Sequence, residues 1–324
     1  MNLVSSINDY YLVQETIGVG SQSETKKAIC KETGQKVAIQ IYHLPLENRQ
    51  SLYDVIEMRR DLDHPCICRL LEVLETESDL FIVTEFVVGI NLLQYIATNG
   101  KIIEPDLSNL IHSLVDALNY LHERGIMVLN LSPEHLFITS DYDSNVILKI
   151  MNFSCAQNST GQNVADSGIS PYFSSPEVIL CSNCTTKSDM WSLGAIVYLL
   201  ACGYPPFFEK KDSVLLVKTL NGDYKFNSPA WNGSSDTAQN FIRNTLTANP
   251  DDRLSAQEAR THVFLNQNSQ SDVGSDETIT NEDLQATPKE YPFLKVPIVK
   301  EPTGLKAKYL KVLAPFLRCR KCKN

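Results

Sequence analysis

Three uncharged polar side chains fall close together in the stretch Val128–Phe137: the amide of Asn130, the hydroxyl of Ser132 and the imidazole of His135. A second amide, Asn152, follows the apolar run Val146–Ile150 and precedes Phe153-Ser154. A third, Gln40, closes Val37-Ala38-Ile39-Gln40, about twenty residues after the turn signal Gly18-Val19-Gly20. Amides of this kind hydrogen-bond a phosphate but cannot neutralise it. They offer no basic carboxylate to take a proton, and they hold Mg²⁺ poorly beside phosphates. The polar set can orient a reactant; it lacks the charges that would make one react.

The elements that must position these residues are legible from hydrophobic period. Tyr11–Gly20 alternates and breaks on its glycines, and Thr25–Cys30 and Lys36–Tyr42 flank a Thr33-Gly34 turn, which predicts three antiparallel strands. Asn48–Asp63 reads as a helix ended by His64-Pro65, and Leu70–Glu75 with Leu80–Glu85 reads as two more strands. Beyond Gly89 the period becomes helical. Leu107, Leu110, Ile111, Leu114, Leu118 and Leu121 mark one helix, with Pro105 near its start and Gly125 at its stop. Further helices are predicted over Asp189–Ala201, Ser213–Asn221, Ser235–Leu246 and Ser255–His262.

In this order the motifs resemble those of eukaryotic protein kinases, from Tyr11 to about Leu265. Val128–Phe137 keeps the Leu-x-Pro-Glu-x-Leu frame of the family's catalytic loop, His-Arg-Asp-Leu-Lys-Pro-Glu-Asn. Ser170-Pro171-Tyr172-Phe173-Ser174-Ser175-Pro176-Glu177 resembles the segment ending Ala-Pro-Glu. Asp189-Met190-Trp191-Ser192-Leu193-Gly194 resembles the start of the family's central buried helix, with Gly203-Tyr204-Pro205-Pro206-Phe207 after it. Arg253 stands where the family's Arg pairs with the acid at Glu177, and a buried acid and Arg would each be costly alone. The resemblance further implies that Asp189 ties down backbone amides of the Asn130 loop.

The same resemblance exposes what has changed. Gln40 replaces the Lys that grips the α- and β-phosphates, and Val55 replaces the Glu that pairs with it; only a shifted helix would bring Glu57 into that role. Asn130 replaces the Asp that accepts the substrate proton, Ser132 the loop Lys, His135 the magnesium-binding Asn, and Asn152 the main metal carboxylate. Leu129 replaces the Arg that receives an activation-segment phosphate, and Thr25 the residue that roofs the adenine. Gly18, Gly20, Ala38, Glu85 and Val87 remain as remnants of a nucleotide site, while Phe137 partly fills the space under the base. Ile17–Gln22, Asp223-Tyr224-Lys225-Phe226 and Trp231–Ala238 look closest to the calcium/calmodulin-dependent group. Within it they most resemble the C-terminal kinase domain of ribosomal-protein kinases that carry two kinase domains.

Bulk properties agree with a folded body. Hydrophobic residues make up 43% and charged residues 21% of 324, enough apolar material for a core and too little charge for wholesale disorder. The net charge of −9 hides an asymmetry: Leu305–Asn324 holds seven Lys/Arg and no acid, so the rest carries −16. An acidic body argues against nucleic-acid binding. The Met190–Phe208 run is broken by Ser192 and Gly194 and reads as a buried helix rather than a membrane span. Nine cysteines without a secretory signal read as reduced thiols of the cytoplasm or nucleus. Cys181-x-x-Cys184 and Cys319-x-x-Cys322 have zinc-ligand spacing, but unpaired thiols are the default reading.

The expected organisation is an N-terminal extension over 1–10 and an α+β, bilobal kinase-like domain over 11–265, divided at 88/89. An acidic disordered linker over 266–290 and a basic tail over 291–324 follow. Leu305–Lys323 places Leu305, Tyr309, Val312, Leu313, Phe316 and Leu317 among basic residues. It suits a helix docked on the body, a docking peptide for calmodulin or another kinase, or contact with a membrane surface. With the metal cradle and the base lost together, the sequence predicts a pseudokinase: no catalytic residue, no metal, and work as scaffold or allosteric regulator of a signalling partner. The alternative is a weak or atypical Ser/Thr kinase, or another nucleotide-dependent transferase, with residual and metal-independent ATP binding.

Overall fold

A computed structural model describes residues 2–266 apart from 21, 47–48, 142, 144, 159–169, 210 and 227–228. The acidic linker, the basic tail and the Cys319/Cys322 pair lie outside the described residues. The fold is α+β, with a β-sheet-rich first part and a helical second part.

Residues that alternate in the sequence build a six-stranded sheet. Its strands are β1 (Asn2–Leu3), β2 (Tyr11–Val19), β3 (Ser23–Cys30), β4 (Lys36–His43), β5 (Leu70–Glu75) and β6 (Asp79–Glu85). Their spatial order is β1-β5-β6-β4-β3-β2, and every pair is antiparallel except β1 on β5. Alternation decides which face each residue of β4 takes. Val37, Ile39 and Ile41 pack with Ala28, Leu74, Phe81 and Val83 on one side. Ala38, Gln40 and Tyr42 share the other side, where Tyr42 meets Ile56 of helix α1 (Arg49–Arg59). Gln40 is therefore carried on the sheet face that α1 covers.

The second part starts with β7 (Ile90–Asn91), α2 (Leu92–Asn99) and the twenty-residue α3 (Glu104–Glu123). Glu104 and Asp106 sit in the first turn of α3, which suits the positive end of the helix dipole, and His122 sits in its last turn. Short strands β8 (Ile126–Met127), β9 (Leu136–Ser140), β10 (Val146–Ile150) and β11 (Gln157–Asn158) then carry the polar stretches. In the three-stranded sheet β10-β9-β7, Phe137 is paired with Lys149 and Asn91. Gly89 lies against β9 so closely that a Cβ there would meet the Ile138 carbonyl at 2.3 Å, so a larger residue would push the two segments apart.

Helices α4 (Pro176–Ile179), α5 (Lys187–Cys202), α6 (Asp212–Asn221), α7 (Asp236–Thr245) and α8 (Ala256–Arg260) complete the chain. Every residue of α5 from Ser188 to Leu200 is buried, which explains why it reads as apolar all round. Its Trp191 stacks on Phe207 with ring centroids 5.4 Å apart. A Cβ on Gly194 would meet the Thr245 hydroxyl at 2.4 Å, so glycine is what lets α5 approach α7. Gly203 ends α5 in the left-handed region, φ 88°, with its N–H on the Leu199 carbonyl. Among the described residues no helix is long and apolar enough to cross a membrane.

Candidate functional site

The loop carrying Asn130 is held from below by α5. Asp189, fully buried, accepts from the backbone N–H of Val128 at 2.9 Å and of Leu129 at 2.7 Å. His122, from the last turn of α3, contacts the same carboxylate at 2.9 Å. These contacts fix Leu129 at φ 58°, a left-handed conformation that a branched side chain adopts only under constraint. The expectation that Asp189 ties down the loop amides is met directly.

Beside it lies the pair expected from Glu177 and Arg253. The guanidinium grips the carboxylate twice, at 2.7 and 3.1 Å, and Ser188 donates to Glu177 at 2.8 Å. Arg253 also donates to the carbonyls of Thr247, Lys187 and Ala248, so each of its five N–H groups has an acceptor. Burial alone pushes the Glu177 carboxyl up, but the hydrogen bonds and charge of Arg253 outweigh it and hold the group below the ordinary carboxylate range.

Within the loop, the Asn130 N–H bonds the Val128 carbonyl at 2.8 Å. Its side chain is 3% exposed, and its Oδ1 has no hydrogen-bond partner. A buried acceptor left open at this position is unusual, since such groups nearly always find a donor. His135 Nδ1 lies 3.0 Å from the Asn130 carbonyl and 3.1 Å from the Ser132 hydroxyl. Its Nε2 lies 3.1 Å from Asn152 Nδ2, and Asn152 Oδ1 accepts from the Ser154 N–H at 2.8 Å. Burial pushes the His135 pKa down and keeps the ring neutral. Asn130, Ser132, His135 and Asn152 thus converge on one small region.

The nucleotide-site remnants lie on or beside the strands of the first part and are engaged there. Gln40 donates to the Ser23 hydroxyl at 3.0 Å, and the Gly20 N–H is spent on the Ser23 carbonyl at 2.7 Å, closing the β2–β3 turn. Gly18 is paired with Thr25. Ala38 is buried; Glu85 accepts from the Arg69 N–H at 2.9 Å and from Lys149 at 2.7 Å, tying β6 to β10. Val87 and Phe137 are half-buried. A shifted α1 does not bring Glu57 inward: Glu57 is exposed and pairs with Arg60 at 2.9 Å, while Val55 is buried in the core.

One residue escaped the sequence reading. Arg59 is 6% exposed, its guanidinium lies 5.1 Å from the Phe153 ring centre, and it donates to the Cys68 carbonyl at 3.2 Å while its Nε has no partner. Burial lowers its pKa. The available signal was its position four residues after Val55, on the same helix face.

The site has no donor set for Mg²⁺. A hard cation wants oxygen ligands, with carboxylates to offset its charge, and Asn130, His135 and Asn152 bring amides and an imidazole. Nor is there a zinc cluster: among the described residues no group of three or more His, Cys, Asp or Glu side chains could hold a metal ion. Cys181 is exposed at φ 48° and Cys184 donates to the Ser182 carbonyl, both as free thiols.

The family described as protein kinase domain matches residues 11–265. The chain is 32% identical over 268 residues to a probable myosin light chain kinase of Dictyostelium discoideum, covering 82% of this chain and 68% of that one. It is 31% identical over 276 residues to the calcium/calmodulin-dependent protein kinase type 1 of Macrobrachium nipponense, covering 82% and 78%. To the protein of the same name in Caenorhabditis elegans it is 30% identical over 268 residues, covering 82% and 76%.

Proposed function

Since the chain belongs to the protein kinase family over residues 11–265, we propose that it is a slow, atypical Ser/Thr protein kinase whose transfer step relies on positioning rather than on a carboxylate base. This corrects the expectation of an inactive pseudokinase scaffold. The kinase-domain match and relatives named as calcium/calmodulin-dependent and myosin light chain kinases overturn that expectation. The error lay in equating a lost carboxylate with lost chemistry. General-base help is worth roughly 10²–10⁴ in rate, a large factor but not the whole of an enzyme's acceleration.

The observation that carries the proposal is the open, buried Oδ1 of Asn130 on a loop pinned by Asp189. The oxygen is closed to solvent here, so a substrate hydroxyl reaches it only once its surroundings open; donating there, the hydroxyl satisfies it and is aimed by it. The hydroxyl oxygen then forms a bond to the γ-phosphorus of ATP as the bond to the β–γ bridging oxygen breaks, releasing ADP. The hydroxyl proton passes to a phosphoryl oxygen or to water. In a loose transition state the nucleophile loses its proton late, so orientation supplies much of what is needed.

Incubating the purified chain with γ-labelled ATP and a Ser/Thr-rich protein tests this, in Mg²⁺, in Mn²⁺ and in chelator. Label above a vector control, reduced about tenfold or more in Asn130→Leu, is the expected result. Absence of label in all three conditions would end the kinase reading.

A second element of the proposal is regulation. The relatives' names state calcium/calmodulin dependence, and Leu305–Lys323 interleaves aliphatic and aromatic residues with seven basic ones, the chemistry of a calmodulin-bound helix. The full chain is expected to be retained on immobilised calmodulin in Ca²⁺ and released by a Ca²⁺ chelator. A chain ending at 304 that is retained equally well would place the contact elsewhere.

A further inference from the structure

The kinase family binds Mg²⁺ through the two positions held here by His135 and Asn152, and the misfit of these residues has a structural counterpart. The backbone N–H of Ser154 can only donate, so the Asn152 atom 2.8 Å from it is the amide oxygen. The other end of that amide is therefore the NH₂, and it donates to His135 Nε2 at 3.1 Å. Nε2 must then carry a lone pair, which puts the ring proton on Nδ1, facing the Asn130 carbonyl at 3.0 Å. Every partner in the chain of contacts fits this one tautomer.

Two consequences follow for a cation. The single lone pair of His135 Nε2 is already used on Asn152, and Asn152 Oδ1, which accepts from Ser154, keeps one more. A hard cation would have to break the His135–Asn152 bond to reach the imidazole, a soft partner for it, and would gain no carboxylate in return. Meanwhile the contact performs the mechanical task of a bridging ion. It joins the segment after β10 to the loop before β9, and the Met151 N–H on the His135 carbonyl at 2.9 Å reinforces the link.

We propose that the His135–Asn152 hydrogen bond stands in the structural place of the divalent cation, and that the cleft takes ATP as the metal-free nucleotide. The proposal rests on the kinase reading above, because that reading supplies the nucleotide. Without a metal, the phosphates meet the neutral amide of Gln40 in place of a cation, so binding is weak and insensitive to divalent ions.

The test is calorimetric titration of the full chain with ATP in chelator, in excess Mg²⁺ and in excess Mn²⁺, with γ-phosphate transfer measured in parallel. The expected result is one Kd in all three conditions, within about threefold. In His135→Asn/Asn152→Asp, which removes the bridge and returns a carboxylate, Mg²⁺ is expected to tighten binding about tenfold or more; the thermal midpoint without nucleotide verifies that this variant folds, and Asn152→Asp alone serves if it does not. Tightening of the unaltered chain by Mg²⁺ or Mn²⁺ overturns the proposal and leaves the kinase reading standing. Absence of heat in every condition also overturns it, and the parallel transfer assay then decides whether the kinase reading falls too.

Discussion

Asn130→Asp is expected to raise the rate of phosphoryl transfer by about 10²-fold, the lower end of what general-base catalysis contributes. Amide and carboxylate have nearly the same shape, so the pinned loop accepts the change without repacking. The oxygen that gains charge is already there: Oδ1 is buried, without a partner, and borne on a loop that Asp189 holds by two backbone N–H groups. The lower end applies because a loose transition state asks little of a base until late. Burial at 3% exposure disfavours the charged form of the new carboxyl and lifts its pKa above the ordinary range. The variant should therefore show a rate that climbs with pH through that raised value and then levels, a limb absent from the unaltered chain. Initial rates across pH with labelled ATP measure both features. A variant that folds normally yet gains less than about threefold would show that positioning by Asn130 is not what limits the reaction.

This expectation depends on contacts between residues, and contacts are the level at which the sequence is least explicit. Periodicity gave the strands from Tyr11 to Glu85 and the long helices, because burial on one face leaves a repeating trace. Asp189, Glu177 and Arg253 were legible for a related reason: each does one fixed structural job in the family, and a buried charge cannot drift to another partner cheaply. The two-residue strand β1 left no trace, since two residues have no period. Arg59 was hidden by its type, since a cation ordinarily faces solvent, although its helix face is apolar. The His135–Asn152 contact spans 17 residues of sequence. Each of the two residues was visible only as a departure from the kinase pattern, and nothing in either announces that the two departures bond to each other. Taken one at a time, each is a lost metal ligand. Joined by a hydrogen bond, they are a replacement as well as a loss.

Arg253→Met is expected to destabilise the fold by about 3–5 kcal/mol at neutral pH, the range for breaking one side of a buried ion pair. The guanidinium is fully enclosed and serves Glu177 and three backbone carbonyls at once. Removing it leaves a buried carboxylate with the Ser188 hydroxyl and a backbone N–H but no cation, and carbonyls of Thr247, Lys187 and Ala248 with a donor fewer. Lys at the same position is a poor substitute, because one ammonium cannot reproduce a five-donor fork. The pH dependence follows from the sign of the Glu177 shift. In the intact pair the folded pKa is depressed, so the pair's contribution is fully present above the unfolded value and is lost as pH falls through the folded one. In the variant the hydrogen bonds and charge of Arg253 are gone, burial is opposed only by the hydrogen bonds from Ser188 and from the backbone N–H of Glu177, and the folded pKa rises. Glu177 then takes up its proton at a higher pH than in the intact pair, and a protonated carboxyl needs no cation. The difference in stability between the two proteins is therefore largest at neutral pH and narrows as pH falls towards the carboxylate range, before the intact pair itself begins to titrate. Urea denaturation at several pH values, with slopes compared to confirm unchanged exposure on unfolding, measures this. A loss at neutral pH below about 1 kcal/mol, the size typical of an exposed pair, or one that grows on acidification, would mean that the enclosed pair does not hold this part of the fold together.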